Sequence, residues 1–94
     1  MPSVVATFKV KEEKLEEAKR FVKQLAADTL AKEKGTLAYI PHQRKDDPTT
    51  FVFYEKYASD ADLAAHGKNL AHVGAQFGAF IAPGGAQIVY LEEF

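Results

Sequence analysis

The chain has 94 residues, 47% of them hydrophobic and 27% charged, with a formal net charge of −1, which is typical of a globular protein with a single domain over residues 1–94. This charge argues against a nucleic-acid partner, because nucleic-acid-binding proteins usually carry a strong basic excess, and the lack of cysteine excludes disulfides, thiolate metal sites and a cysteine nucleophile. Neither an apolar signal segment nor a membrane-length apolar run is present, so we expect a soluble cytoplasmic protein with no membrane partner.

The first half of the chain predicts a strand, a long helix and a second strand. Residues Ser3–Val10 are rich in β-branched residues, which favours a strand. Residues 11–35 carry apolar residues at helical spacing, with glutamates in the first turns and lysines near the end, so we predict a helix that ends at Gly35. Thr36–Gln43 is predicted as a strand, and Pro41 places it at an edge or a bulge of the sheet.

The second half repeats the pattern of strand, helix and strand. After a polar turn, Thr50–Tyr57 is the strongest strand signal in the chain. Residues 59–81 predict a helix with Ser59 as its N-cap; its glycines favour a kink or two shorter helices, with a new cap at Asn69. Residues 82–85 are predicted as a turn and residues 86–93 as the last strand.

The predicted order β-α-β-β-α-β is that of a ferredoxin-like α+β fold with an antiparallel sheet. The helices of this arrangement cover one face of the sheet, yet the third and last strands are apolar or aromatic on both faces. An uncovered face of this kind would be a large exposed apolar patch. A second copy packed sheet against sheet is the simplest cover, so we predict a homodimer.

Glu55 and His66 are the candidate catalytic residues. Glu55 lies on the same strand face as Phe53 and Tyr57, and His66 lies on the apolar face of the second helix. A carboxylate and an imidazole that face one cavity can perform general acid–base chemistry. The alternative is a structural hydrogen bond inside the core.

Five further residues are predicted to bind a substrate around that pair. His72 depends on the helix break for its direction, and its alternative is a surface or capping histidine. No metal site is predicted, since the familiar zinc motif with histidines at i and i+4 is absent. No nucleotide or flavin motif is present either, so we predict no bound cofactor. The predicted substrate-binding residues are Tyr39, Phe53, Tyr57, Asn69 and His72.

The segment "EKGTLAYIPHQRKDDPTTFVFYEKYASDADLAAHGKNLAH" resembles the antibiotic biosynthesis monooxygenase (ABM) domain family, including its quinol monooxygenase-like members. The family pattern has tryptophan where this chain has Tyr57, and cysteine where it has Thr36. The two histidines are six residues apart here, where the family more often has five. The matching positions are Glu33, Gly35, Leu37, Tyr39, Phe51, Tyr54, Glu55, His66 and His72.

This resemblance implies a dimeric α+β barrel and a cofactor-independent monooxygenase that oxidises a small aromatic quinol or anthrone-like substrate with O₂. His66 would be the base and Glu55 would orient it, with Tyr39, Tyr57 and Asn69 as pocket residues. One alternative is a non-catalytic dimeric barrel that binds a small hydrophobic ligand; another is an isomerase or decarboxylase that uses the same histidine. An RNA-recognition module shares the element order, but this chain lacks its basic and aromatic signature.

Overall fold

A computed structural model describes residues 1–94 of the protein. The long helix is preceded by a short 3₁₀ turn at Glu12–Lys14. The elements, in chain order, are β1 (Pro2–Val10), α1 (Leu15–Lys32), β2 (Thr36–Gln43), β3 (Thr50–Tyr57), α2 (Asp60–Leu70), α3 (Gly74–Gly78) and β4 (Ile81–Glu92).

The four strands form one antiparallel sheet in the order β2-β3-β1-β4. With the three helices, this is the ferredoxin-like α+β arrangement, so the predicted fold class is confirmed. Strands β1 and β3 occupy the centre, and the long strand β4 is an edge. The central strands carry the most buried residues because they have a neighbour on each side.

The core lies between the helices and one face of the sheet. Alternate residues of β1 and β3 point to this face, as strand geometry requires. Helix α1 covers them with a row of buried residues at helical spacing. Phe53 and Tyr57 are among the largest side chains that are fully buried. The buried apolar residues are Val4, Ala6, Val10, Ala18, Val22, Ala26, Tyr39, Phe51, Phe53 and Tyr57.

The second helical segment divides into two helices, as its glycines indicated, but the break is not where we predicted it. Ser59 caps α2, and its hydroxyl accepts the Asp62 N–H at 3.2 Å. The predicted cap at Asn69 is wrong: Asn69 lies in the last turn of α2, and the break falls in a turn at 71–73. The short helix α3 then begins at Gly74 and has no side-chain cap.

The predicted turn at residues 82–85 is also wrong, because these residues lie inside β4. Ile81 pairs with Val10 and Ala86 pairs with Phe8, so the extra residues of β4 form a bulge against β1. Gly84 has a φ of 70°, a conformation that glycine adopts at little cost. The turn-like sequence therefore makes a strand irregularity and does not separate the strand from α3.

The sheet face away from the helices carries a row of apolar side chains across all four strands. Ile40 is aligned with Tyr54, which is aligned with Val5, which in turn is aligned with Val89. Ile40, Tyr54 and Val89 are exposed. We call these four residues the open sheet face.

None of the helices has the length and apolar content that a membrane crossing requires.

Candidate active site

A cavity of about 440 Å³ lies between the helix-facing side of the sheet and the pair α2 and α3. Twelve of its sixteen lining residues are hydrophobic, so the few polar groups in its wall stand out. Tyr90 and Ile88 of the edge strand β4 line the cavity and are themselves exposed, which places its opening on that side. The polar side chains in the wall are Tyr39, Glu55, His66 and, at the exposed edge, Tyr90.

His66 lies on the inner side of α2 and is 3% exposed. Its ring is held between the rings of Tyr39 and Tyr57, with centroid distances of 5.0 Å and 5.3 Å. Its Nδ1 lies 2.8 Å from Oε1 of Glu33. Its Nε2 is buried and has no hydrogen-bond partner in the protein, although buried polar atoms are nearly always paired.

Glu55 projects from β3 beside the unpaired Nε2. Its Oε1 lies 3.9 Å from Nε2, too far for a direct hydrogen bond. The same Oε1 accepts the hydroxyl of Tyr57 at 2.6 Å. Burial raises the pKa of Glu55, although the Tyr57 hydroxyl and His66 act in the opposite direction.

The two tyrosines of the site remain neutral phenols at ordinary pH. Burial raises the pKa of Tyr39, and the neighbouring carboxylates Glu55 and Glu33 raise it further. Burial also raises the pKa of Tyr57, as do its donation to Glu55 and the charge of that carboxylate. Both side chains are therefore hydrogen-bond donors and not bases.

Glu33 is the hydrogen-bonding partner of His66. It lies in the segment that resembles the family, but no role was predicted for it. It is the C-cap residue of α1, and its Oε1 also accepts the hydroxyl of Thr36 at 2.8 Å. Burial acts to raise the pKa of Glu33, but the hydrogen bonds from Thr36 and His66, together with the charge of His66, outweigh burial and leave that pKa below its usual value.

A second, polar pocket of about 220 Å³ lies on the other side of Glu33, at the junction of α1, β2 and α2. Its lining includes Lys32, Lys34, Asp62 and Asn69. The side chain of Glu33 is 13% exposed, so water reaches this carboxylate. The Glu33–His66 pair therefore lies between the apolar cavity, which His66 lines, and the polar pocket, which Glu33 lines.

The predicted site residues do not all lie at the apolar cavity. Tyr39, Glu55 and His66 line the apolar cavity. Phe53 and Tyr57 are buried behind its wall, where Phe53 packs against Tyr39 at 5.4 Å. The other two predicted residues lie away from the cavity: Asn69 belongs to the polar pocket, and His72 is exposed in the turn between α2 and α3.

The carboxylate oxygens and ring nitrogens around His66 are too few to form a metal centre. No group of three or more histidine, cysteine, aspartate or glutamate side chains in the chain is arranged to hold a metal ion.

A comparison with protein families matches residues 1–82 to the antibiotic biosynthesis monooxygenase family. Among curated proteins, no match to the chain is found.

Several solved structures share the fold over nearly the whole chain. One is a Caulobacter crescentus protein provisionally named as an antibiotic biosynthesis monooxygenase; it is 34% identical, with a TM-score of 0.91, and the alignment covers 99% of this chain and 89% of that one. A Nitrosomonas europaea protein with the same provisional name is 28% identical, with a TM-score of 0.84 and coverage of 100% and 99%. A conserved protein of Methanosarcina mazei, 23% identical with a TM-score of 0.89 and coverage of 99% and 92%, shares the fold.

Proposed function

Because this chain belongs to the antibiotic biosynthesis monooxygenase family, we propose that it is a monooxygenase that oxidises a small aromatic quinol or anthrone-like substrate with O₂ and without a bound cofactor. The observation that carries the proposal is the buried, unpaired Nε2 of His66. It lies beside Glu55 in the wall of an otherwise apolar cavity. A bound molecule with a hydroxyl group would give this nitrogen the partner that the protein does not supply.

The shape and lining of the cavity support an aromatic substrate. Its volume of about 440 Å³ lies within the range of small-molecule sites. Phe8 and Phe77, which line it, meet edge to face at 4.9 Å. Tyr39 adds a third ring close to His66. A flat, apolar substrate can pack against these rings while its hydroxyl reaches the polar end of the cavity.

In the proposed reaction, Nε2 of His66 accepts a proton from the substrate, and the resulting electron-rich anion reacts directly with O₂. The substrate supplies all four electrons and both hydrogens: one oxygen atom enters the product, and when the O–O bond breaks the other leaves as water, with the proton that His66 returns and a second proton lost from the oxidised carbon or hydroxyl of the substrate. Burial raises the pKa of Glu55, and in its protonated form this side chain can donate a hydrogen bond to the oxygen that carries the developing charge. Tyr57 holds Glu55 in place through its hydroxyl.

Oxygen consumption with a panel of quinols and anthrones tests this proposal. We expect uptake by the unaltered protein and a loss on the order of 10²-fold or more in His66→Ala, which is the usual contribution of a general base. His42→Ala is the matched control. His42 is exposed on β2, away from the cavity, and its side chain hydrogen-bonds to the backbone oxygens of Ile40 and Val52.

Two outcomes would contradict the proposal. Equal oxygen uptake by His66→Ala and the unaltered protein would remove His66 from the reaction. Binding of the panel compounds without any oxygen uptake would instead favour the non-catalytic ligand-binding barrel.

We also propose that the protein is a homodimer, the dimeric α+β barrel, built through the open sheet face. Its support is the row of Ile40, Tyr54, Val5 and Val89, which crosses all four strands. Three of these four apolar side chains are more than a third exposed, and contiguous apolar surfaces of this kind usually mark an interaction site.

A further inference from the structure

We propose that Glu33 is the positioning residue of the site: its carboxylate fixes the proton of the His66 ring on Nδ1, so that Nε2 is the atom that accepts a proton in the cavity. The role in turnover rests on the proposed function, whereas the placement of the proton in the resting protein does not.

The hydrogen-bonding capacity of Glu33 decides the direction of its contact with His66. An ionised carboxylate can only accept hydrogen bonds. The 2.8 Å contact between Oε1 and Nδ1 therefore requires a proton on Nδ1. Since a neutral imidazole carries one proton, Nε2 is then left with its lone pair.

Glu33 is better suited to this role than Glu55. The hydroxyl of Thr36 and the ring of His66 both donate to Glu33, which keeps the pKa of that carboxyl below its usual value. Glu55, on the opposite side of the ring, is more deeply enclosed and has a raised pKa. The ring therefore lies between Glu33, whose pKa is lowered, and Glu55, whose pKa is raised.

The same carboxylate would stabilise the charged ring that forms when Nε2 takes the substrate's proton. The Coulombic attraction between Glu33 and the charged ring acts over a contact of 2.8 Å. Lys32, Lys34 and Asp62 face Glu33 across the polar pocket. On the cavity side, the titratable groups that face the ring are those of Glu55, Tyr39 and Tyr57, so Glu33 is the charged partner in hydrogen-bonding contact with His66.

Glu33→Gln tests the charge of this residue. We expect kcat to fall on the order of 10²-fold, the scale on which general-base catalysis contributes, with KM little changed because Glu33 does not line the cavity. Glu16→Gln, an exposed carboxylate at the other end of α1, is the matched control. An unchanged kcat in Glu33→Gln, or a loss confined to KM, would overturn the proposed role in turnover.

Nitrogen-15 NMR of the resting protein tests the placement of the proton without any substrate. We expect the proton of neutral His66 to reside on Nδ1 in the unaltered protein, and the tautomer to shift toward Nε2–H in Glu33→Ala, which lacks the acceptor. A thermal melt of each variant distinguishes this change from loss of the fold. A ring that carries its proton on Nε2 in the unaltered protein would overturn the inference, even if oxygen uptake is observed. An absence of oxygen uptake with every compound would count against the proposed function alone.

Discussion

His66 is the residue on which two carboxyl groups converge from different elements. Glu33 reaches it from the end of α1 at 2.8 Å, and Glu55 approaches it from β3 at 3.9 Å. The pKa of Glu33 is lowered because two donors hydrogen-bond to it, whereas the pKa of Glu55 is raised mainly by burial. Pairs of titratable groups with divergent environments are typical of acid–base sites.

Glu55→Gln should make the protein more stable near neutral pH. The pKa of Glu55 is raised from 4.5 in the folded protein. As pH rises above that value, the unfolded chain releases this proton before the folded protein does, so the free energy of unfolding decreases through this range. Glutamine removes this cost and can still accept the Tyr57 hydroxyl. Urea denaturation at several pH values should show a gain at about pH 7 that disappears near pH 4.

Glu16→Gln again provides the control, because its carboxylate is exposed. The prediction would be wrong if the gain in Glu55→Gln did not depend on pH.

The directions of Glu55 and His66 could be predicted from the sequence, because strand alternation and helical periodicity determine which side chains face the interior. The partner of His66 could not. Glu33 and His66 are brought together by the packing of the end of α1 against α2, and no periodicity connects positions in two different helices. The only sequence signal for Glu33 was its place in the family segment, where it had no assigned role.

At the scale of the elements, the start of α2 is fixed by a tight approach to the loop before β2. A Cβ on Gly35 would lie 2.0 Å from Oδ1 and 2.7 Å from Cβ of Asp62. Asp62 also accepts the hydroxyl of Ser59, the N-cap of α2. The absence of a side chain at Gly35 therefore lets α2 take the position that brings His66 to Glu33.

Gly35→Ala should displace the first turn of α2 and destabilise the protein by about 1–3 kcal/mol, the usual cost of overpacking. Gly67→Ala is the matched control on the same helix. A Cβ there meets nothing within 4 Å, and alanine should stabilise α2 by up to about 1 kcal/mol. Thermal or urea unfolding of both variants measures the difference. Equal stabilities would contradict this account of Gly35.

The order and type of the elements could be predicted because each has its own period of apolar residues. The two errors concern the position of the break between α2 and α3 and the start of β4. Gly84 and its neighbours have the composition of a turn, but they form a bulge because β4 continues its pairing with β1 on both sides of them. Local composition does not reveal pairing with a distant strand.

At the scale of the whole molecule, the apolar residues of the open sheet face are not explained by the core of one chain. Val89→Asp places a charge in the middle of the edge strand β4, so it should break the proposed dimer. Light scattering after gel filtration should give twice the chain mass for the unaltered protein and the single-chain mass for Val89→Asp.

Ala27→Asp adds the same charge to an exposed position of α1 and should leave the dimer intact. A single-chain mass for the unaltered protein would contradict the proposed assembly.

Helix α3 covers one side of the cavity and is held by few contacts, which bears on how a substrate enters. Helix α3 has five residues, no side-chain cap and no buried residue, and Phe77 holds it through contacts with Phe8 and Phe21. Short elements with few buried contacts open more often than the rest of a domain. Amide hydrogen exchange should therefore be faster at residues 74–78 than in β1 and β3, and a bound ligand should slow it. Equally slow exchange in both regions without a ligand would mean that substrates enter along β4 without any opening of α3.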